Sequence, residues 1–318
     1  MAKDELYQPK LFRPNEAHYL FPNTARVAID VALATGRPVL VSGPPGCGKT
    51  ELAKAAADSL GWRYLKQVVT SRTQFEDLTG RFDTLRRLND AQAARAGESL
   101  PPDWAYLVPG SLWWAFNPKS ALDRGATAEE MKEAAKAAPT RPITPAQQRE
   151  GWVTEGREMH AVVLLDEIDK ADPDVPNDLL EPLDLCAFTA MDRRVTAEGN
   201  SVLMIITTNG ERELPQAFLR RCISLELEDP DADRLTEIAH LHFDRDYPAG
   251  DGELYSQLAE MMVAERERIR AQGLRAPSTA EYLDAVQACL KLPIRPNEDF
   301  WSVLKQIVLT KQGVLEEP

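Results

Sequence analysis

The chain has 318 residues, 43% of them apolar and 27% charged, with 37 basic side chains against 50 acidic ones for a net charge of −13. That length allows about two domains and a core that needs no disulfide or metal staples, and the composition excludes a wholly disordered or collagen-like chain. An acidic balance argues against broad, non-specific nucleic-acid binding, which rests on clustered Lys and Arg.

Cys47, Cys186, Cys222 and Cys289 form no CxxC pair and no zinc spacing, so free thiols in a reducing compartment are expected. The first ten residues carry no apolar run of the signal-peptide kind. No apolar stretch approaches the ~20 residues of a membrane helix. The expectation is a soluble, cytoplasmic protein.

In chain order, Arg37 to Ser42 predicts a short buried strand, followed by a Gly/Pro loop and a helix over Thr50 to Leu60. Trp62 to Val69 predicts a second strand. Arg95 to Glu158 fits no repeating pattern and reads as an insertion, with an Ala/Glu/Lys-rich helix over Thr127 to Ala138. Ala161 to Leu165 and Val202 to Thr208 are continuous apolar runs, and Ile223 to Leu227 is a fifth strand candidate. Apolar strands alternating with helices predict a parallel sheet covered on both faces. From Asp229 onward the pattern is helical only: Asp231 to Phe243, Glu253 to Gln272, Thr279 to Lys291 and Asn297 to Lys311. The predicted division is an α/β domain over 1–228, with the insertion at about 95–158, and a helical domain over 229–318.

Gly43-Pro44-Pro45-Gly46-Cys47-Gly48-Lys49-Thr50 matches G-x-x-x-x-G-K-[ST] in full, between a predicted strand and a predicted helix. Glycines let backbone N–H groups turn inward around a phosphate, and the helix N-terminus adds its positive dipole end. Lys49 would reach the β- and γ-phosphates and the Thr50 hydroxyl would ligate Mg²⁺.

Asp166 and Glu167 end a buried strand, at the edge where open α/β sheets bind ligands. Asp166 would hold the Mg²⁺ shell and Glu167 would polarise an attacking water. The competing reading makes them a helix N-cap and a first-turn carboxylate. Asn209 ends the next strand; its amide could bond the water or the γ-phosphate, or Asn209-Gly210 could be simply a turn. Arg220 and Arg221 follow a short helix. They fit an arginine finger reaching a neighbouring subunit, or a solvated basic surface.

Taken in this order, the motifs resemble those of the AAA+ ATPases, and within them the MoxR-like group. Walker A is Gly43 to Thr50, Walker B is Val162 to Glu167, sensor 1 is Asn209, and the finger segment is Phe218 to Cys222. Group cues are Asp77 to Gly80, Pro109 to Leu112, Asp166 to Ala171 and Leu179 to Leu183. The resemblance spans most of residues 20 to 290. It implies an AAA+ P-loop NTPase parallel sheet with a C-terminal α-helical lid. It also implies ATP and Mg²⁺ as cofactors, with nucleotide contacts running from Gly43 through Thr50 to Glu51. Arg221 matches the finger position best and Arg220 second. The lid helix that would open on a sensor-2 arginine opens here on Ala276 to Thr279, and the nearest arginine is Arg275. The resemblance further implies a ring, most often a hexamer, working on a protein client or with a partner that carries a von Willebrand A domain.

The insertion between Pro118 and Glu158 is longer than the group's usual one. Trp104, Trp113, Trp114 and Trp152, within Arg95 to Glu158, either pack against the sheet or face a pore or client; Phe75 is a second pore candidate. His240 and His242, at i,i+2 on a helix, do not converge on one metal. A P-loop kinase is disfavoured by Glu167 and by Arg220-Arg221, and a scaffold with slow or no hydrolysis by the intact Lys49, Asp166 and Glu167.

Overall fold

The computed structural model describes residues 9–15, 19–95, 98–150, 152, 158–197, 199–247, 251–273 and 275–292. The helix predicted over Asn297 to Lys311 lies outside these described residues. The chain divides into two compact units. One holds 9–14, Asn23–Ser42 and Ala53–Leu225; the other holds 15, 19–22, Gly43–Leu52 and the described residues from Glu226 onward.

The described strands are β1 Val39–Ser42, β2 Trp62–Val68, β3 Gly80–Phe82, β4 Leu107–Pro109, β5 Glu158–Asp166, β6 Ala187–Ala190, β7 Arg193–Thr196, β8 Val202–Thr208 and β9 Ile223–Glu226. Five of them form the parallel sheet, in the order β2-β5-β8-β1-β9. All five strands read from the sequence are therefore present. β5 from Ala161 and β8 from Leu203 are buried to their ends, as strands covered on both faces must be. Ser42 pairs with Thr208 and Val68 with Asp166. These ends share the carboxyl edge of the sheet, and β8 separates β1 from β5.

Two small antiparallel pairs, β3 with β4 and β6 with β7, were not anticipated from the sequence. They lie outside the main sheet. Much of the predicted insertion packs into the same core as β5: Trp104, Trp113 and Trp114 are at most 7% exposed. Trp152 is half-buried and its Nε1 donates to the Lys66 carbonyl at 3.1 Å. The tryptophans thus pack rather than project. The predicted helix in this stretch is Ala128–Ala137, started by a capping box between Thr127 and Glu130.

Arg63 ties β2 to this packed stretch. It is 3% exposed and donates to the carbonyls of Met159 at 3.0 Å, Trp114 at 2.7 Å and Ala115 at 3.1 Å. Trp114 and Ala115 belong to the helix Ser111–Phe116, whose last carbonyls have no partner within the helix. Burial pushes the guanidinium down to about 10. Arg63→Met should take this donor from the buried Trp114 and Ala115 carbonyls, at roughly 1–3 kcal/mol for each group left unpaired. A denaturant titration should show a lowered midpoint with an unchanged slope; an unchanged midpoint would exclude this role.

Beyond β9, every regular element among the described residues is a helix: Ala232–Phe243, Gly252–Ala271 and Thr279–Lys291. Their apolar faces meet in a core that includes Leu235, Phe243, Tyr255, Leu258, Met262, Tyr282 and Val286. Asp231 caps the first through the Arg234 N–H at 2.8 Å. Ser278 and Glu281 form a reciprocal capping box on the third. Such caps contribute about 1 kcal/mol each.

Candidate functional site

The loop Gly43–Thr50 belongs to the unit that contains the C-terminal helices. Gly43, Gly46 and Gly48 all have positive φ, at 149°, 81° and 97°. A Cβ on Gly43 would come within 2.3 Å of the Leu227 carbonyl oxygen, and one on Gly46 within 2.2 Å of the Ser278 Cβ. Only glycine fits either position without displacing its neighbour. The turn thus forms a cradle of backbone amides of the kind that holds phosphate. Lys49 opens the helix Lys49–Leu60, is 7% exposed, and folds its Nζ back to the carbonyls of Gly43 at 2.6 Å and Pro44 at 3.0 Å. Thr50 is half-buried and Glu51 exposed in the helix's first turn.

Burial pushes the Cys47 thiol up, with Lys49 opposing the shift. A raised value disfavours the thiolate, which is the reactive form. Arg275 is exposed, ahead of the Ser278 cap. Arg266, which the sequence did not single out, is the buried arginine among this unit's described residues. It donates to the carbonyls of Pro277 and Pro230, each at 2.9 Å. Burial lowers its proton affinity, with Asp229 pulling the other way.

In the other unit the acid pair sits at the carboxyl end of β5. Asp166 is 8% exposed. Its Oδ1 accepts from the Thr207 hydroxyl at 2.8 Å and its Oδ2 faces the Lys66 ammonium at 3.0 Å. Glu167 stands in the left-handed region, φ 65° and ψ 53°, costly for a residue with a Cβ. Its N–H donates to Thr207 Oγ1 at 2.8 Å. The side chain is about a third exposed: Oε1 accepts from Asn209 Nδ2 at 3.0 Å and Oε2 from Lys170 Nζ at 2.8 Å. That bond to Glu167 raises the Lys170 ammonium above its ordinary value.

Asn209 also takes part in a turn. Gly210 follows at φ 75°, and Asp169 Oδ2 accepts the N–H of Asn209 at 3.1 Å and of Glu211 at 2.9 Å. Asp169 is 2% exposed, and its Oδ1 has no partner among the described residues. The structure thus brings Asp166, Glu167 and Asn209 together and adds Lys66, Thr207, Asp169 and Lys170. Only Lys170 and Asp169 lay inside a motif read from the sequence. Thr207 carried no motif of its own; it lies two residues before Asn209, inside the apolar run of β8.

Arg220 and Arg221 follow the short helix Gln216–Leu219. Arg221 Nε meets Asp184 Oδ2 at 2.6 Å and its NH1 donates to the Ala217 carbonyl at 2.9 Å. Arg220 is exposed, and its guanidinium has no partner among the described residues. Arg37 holds the segment in place, donating to the carbonyls of Arg220 at 2.6 Å, Arg221 at 3.1 Å and Cys222 at 3.0 Å.

Among the described residues no group of three or more His, Cys, Asp or Glu could hold a metal ion. His240 instead meets Asp244, Nδ1 to Oδ2 at 2.9 Å. Mg²⁺ commonly uses one or two protein oxygens and takes the rest from phosphates and water. The Asp166 carboxylate in one unit and the Thr50 hydroxyl in the other are each hard oxygen donors by chemistry. No helix among the described residues is long and apolar enough to cross a membrane.

A family model described as AAA domain (dynein-related subfamily) matches residues 38–222, more than half of the chain. AAA domains typically bind ATP and Mg²⁺ and are generally ATPases. The match runs from the start of β1 through the glycine cradle, the acid pair and Asn209 to Cys222. On that match and on the parallel sheet that carries these residues, the chain belongs to the AAA domain family of the dynein-related subfamily, which includes the MoxR-like AAA+ group.

Proposed function

We propose that this chain is an ATP-hydrolysing AAA+ protein of the MoxR-like kind, assembling into a ring, a hexamer, that remodels or activates a partner protein. The observation that carries the hydrolytic part is the contact of Glu167 Oε1 with Asn209 Nδ2 at 3.0 Å, beside an Asp166 whose oxygens are held by Thr207 and Lys66. A carboxylate fixed next to a polar amide at the carboxyl edge of a parallel sheet is placed to orient water. Gly43 to Lys49 would bind the phosphates, while Thr50 and Asp166 would hold Mg²⁺. When bound, that ion supplies charge neutralisation for the phosphoryl group. Arg220 and Arg221 would serve the neighbouring subunit's nucleotide. A partner with a von Willebrand A domain fits this reading, and the cytoplasm is its compartment.

The test is ATPase activity measured across protein concentration, with sizing by light scattering. Specific activity should rise steeply as the chain assembles. Lys49→Ala should lose tight ATP binding with its fold intact, because the charge facing the β- and γ-phosphates is gone. Unchanged nucleotide affinity in calorimetry would sink the phosphate-loop assignment. A flat specific activity with the chain still monomeric would leave an ATPase but remove the ring.

A further inference from the structure

We infer that Thr207 is the positioning residue that sets both carboxylates of the acid pair, and that its hydroxyl fixes the geometry of hydrolysis without touching the nucleotide. This rests on the reading of Asp166 and Glu167 given above. Thr207 lies on β8, fully buried at 0% exposure. A hydroxyl has one proton and two lone pairs. Here the proton goes to Asp166 Oδ1 at 2.8 Å and a lone pair receives the Glu167 N–H at 2.8 Å. One oxygen atom is therefore shared between two consecutive residues with different tasks.

The two contacts do different things. The bond to Asp166 fixes the rotation of the carboxylate, leaving Oδ2 turned to Lys66. The bond to the Glu167 N–H holds that residue in its left-handed conformation, which an ordinary residue leaves unless its surroundings enforce it. A left-handed residue departs from the line of β5, and here its side chain meets Asn209. Asn209 lies two residues after Thr207 in the chain, so the same segment supplies a hydroxyl for the main chain of Glu167 and an amide for its side chain. Valine matches threonine in shape and offers neither a proton nor a lone pair; serine offers both.

The experiment compares Thr207→Val, Thr207→Ser and Thr207→Ala with the parent and with Glu167→Gln. Steady-state turnover is measured over a Mg²⁺ titration, ATP affinity by calorimetry, and thermal melting in parallel. Thr207→Val should lower kcat about 10²-fold, the loss that follows a misplacement on the order of 1 Å. Its ATP affinity should stay close to parental, and its half-saturating Mg²⁺ concentration should rise. Thr207→Ser should recover most of kcat and the parental Mg²⁺ dependence. A role confined to stability would instead lower melting while leaving kcat per folded molecule and the Mg²⁺ titration unmoved. If Thr207→Val does not fold, the ratio of Thr207→Ser to Thr207→Ala carries the same comparison. Parental kcat in Thr207→Val, or equal loss in Thr207→Ser and Thr207→Ala, overturns the inference while Glu167→Gln remains inactive. Parental turnover in Glu167→Gln overturns the reading of the acid pair, and this inference with it.

Discussion

Glu167→Gln should lower ATP turnover by roughly 10²–10⁴-fold, the contribution of a positioned general base, while nucleotide affinity stays close to parental. The substitution keeps the side chain's size and leaves an oxygen to accept from Asn209 Nδ2, the contact seen at 3.0 Å. What it removes is the negative charge. The amide that replaces the second oxygen would face Lys170 Nζ, which now sits 2.8 Å from Glu167 Oε2, so a donor meets a donor. Asp166 keeps its contacts with Thr207 and Lys66, so the metal-binding carboxylate is spared. Phosphate release at saturating ATP, set beside calorimetry, separates the two effects. A variant that turns over at the parental rate would make Glu167 a structural residue. Retained ATP with slow turnover should also favour the assembled state in sizing experiments.

From the arginine segment we expect an effect of comparable size, with the larger share proposed for Arg220. Arg221 is occupied within its own chain by Asp184 at 2.6 Å and by the Ala217 carbonyl. Arg220 is exposed, with its guanidinium unengaged among the described residues, and its backbone is gripped by Arg37. Arg220→Ala should therefore cost about 10³–10⁵ in turnover, the range for arginine fingers in phosphoryl transfer, at nearly normal ATP affinity. Arg221→Ala breaks a partly exposed ion pair of a kind that contributes about 0–1 kcal/mol, so its effect should be smaller and should appear in stability. Mixing Arg220→Ala subunits with Lys49→Ala subunits should restore some activity, because an intact phosphate loop can then meet an intact finger. No recovery in verified mixed assemblies argues against catalysis across a subunit boundary. Parental turnover in Arg220→Ala with a deep loss in Arg221→Ala would return the role to Arg221, which must then leave Asp184.

The sheet was legible in the sequence because its strands are buried on both faces and so read as unbroken apolar runs. β8 was read to the residue, and β5 from Ala161. The short pairs were not legible. β3 has three residues with an arginine at its centre, and β7 begins with two arginines, so neither offers a periodic signal. The helix Asn23–Thr35 was passed over, although Ala25, Ala28, Ile29 and Ala32 fall on one face and are buried. Asp166, Glu167 and Asn209 were legible because each ends an apolar strand. Lys66 was not, since its nearness to Asp166 follows from the pairing of β2 with β5 rather than from its neighbours in the chain. Arg63 and Arg266 escaped for a related reason: each is a cation held chiefly by carbonyls, and carbonyls carry no residue signature.

β2 forms one margin of the main sheet, with β5 on its inner side. A bare strand margin presents a row of amides and carbonyls to which a strand from any other molecule can add. Here Trp152 Nε1 donates to the Lys66 carbonyl, and Arg149 bonds the Gln67 side chain. One backbone carbonyl on that margin is therefore already engaged, and the Gln67 side chain beside it is held. An engineered chain shortened through Arg149 and Trp152 would keep every residue of the acid pair, yet would leave the Lys66 carbonyl open to a strand from another molecule.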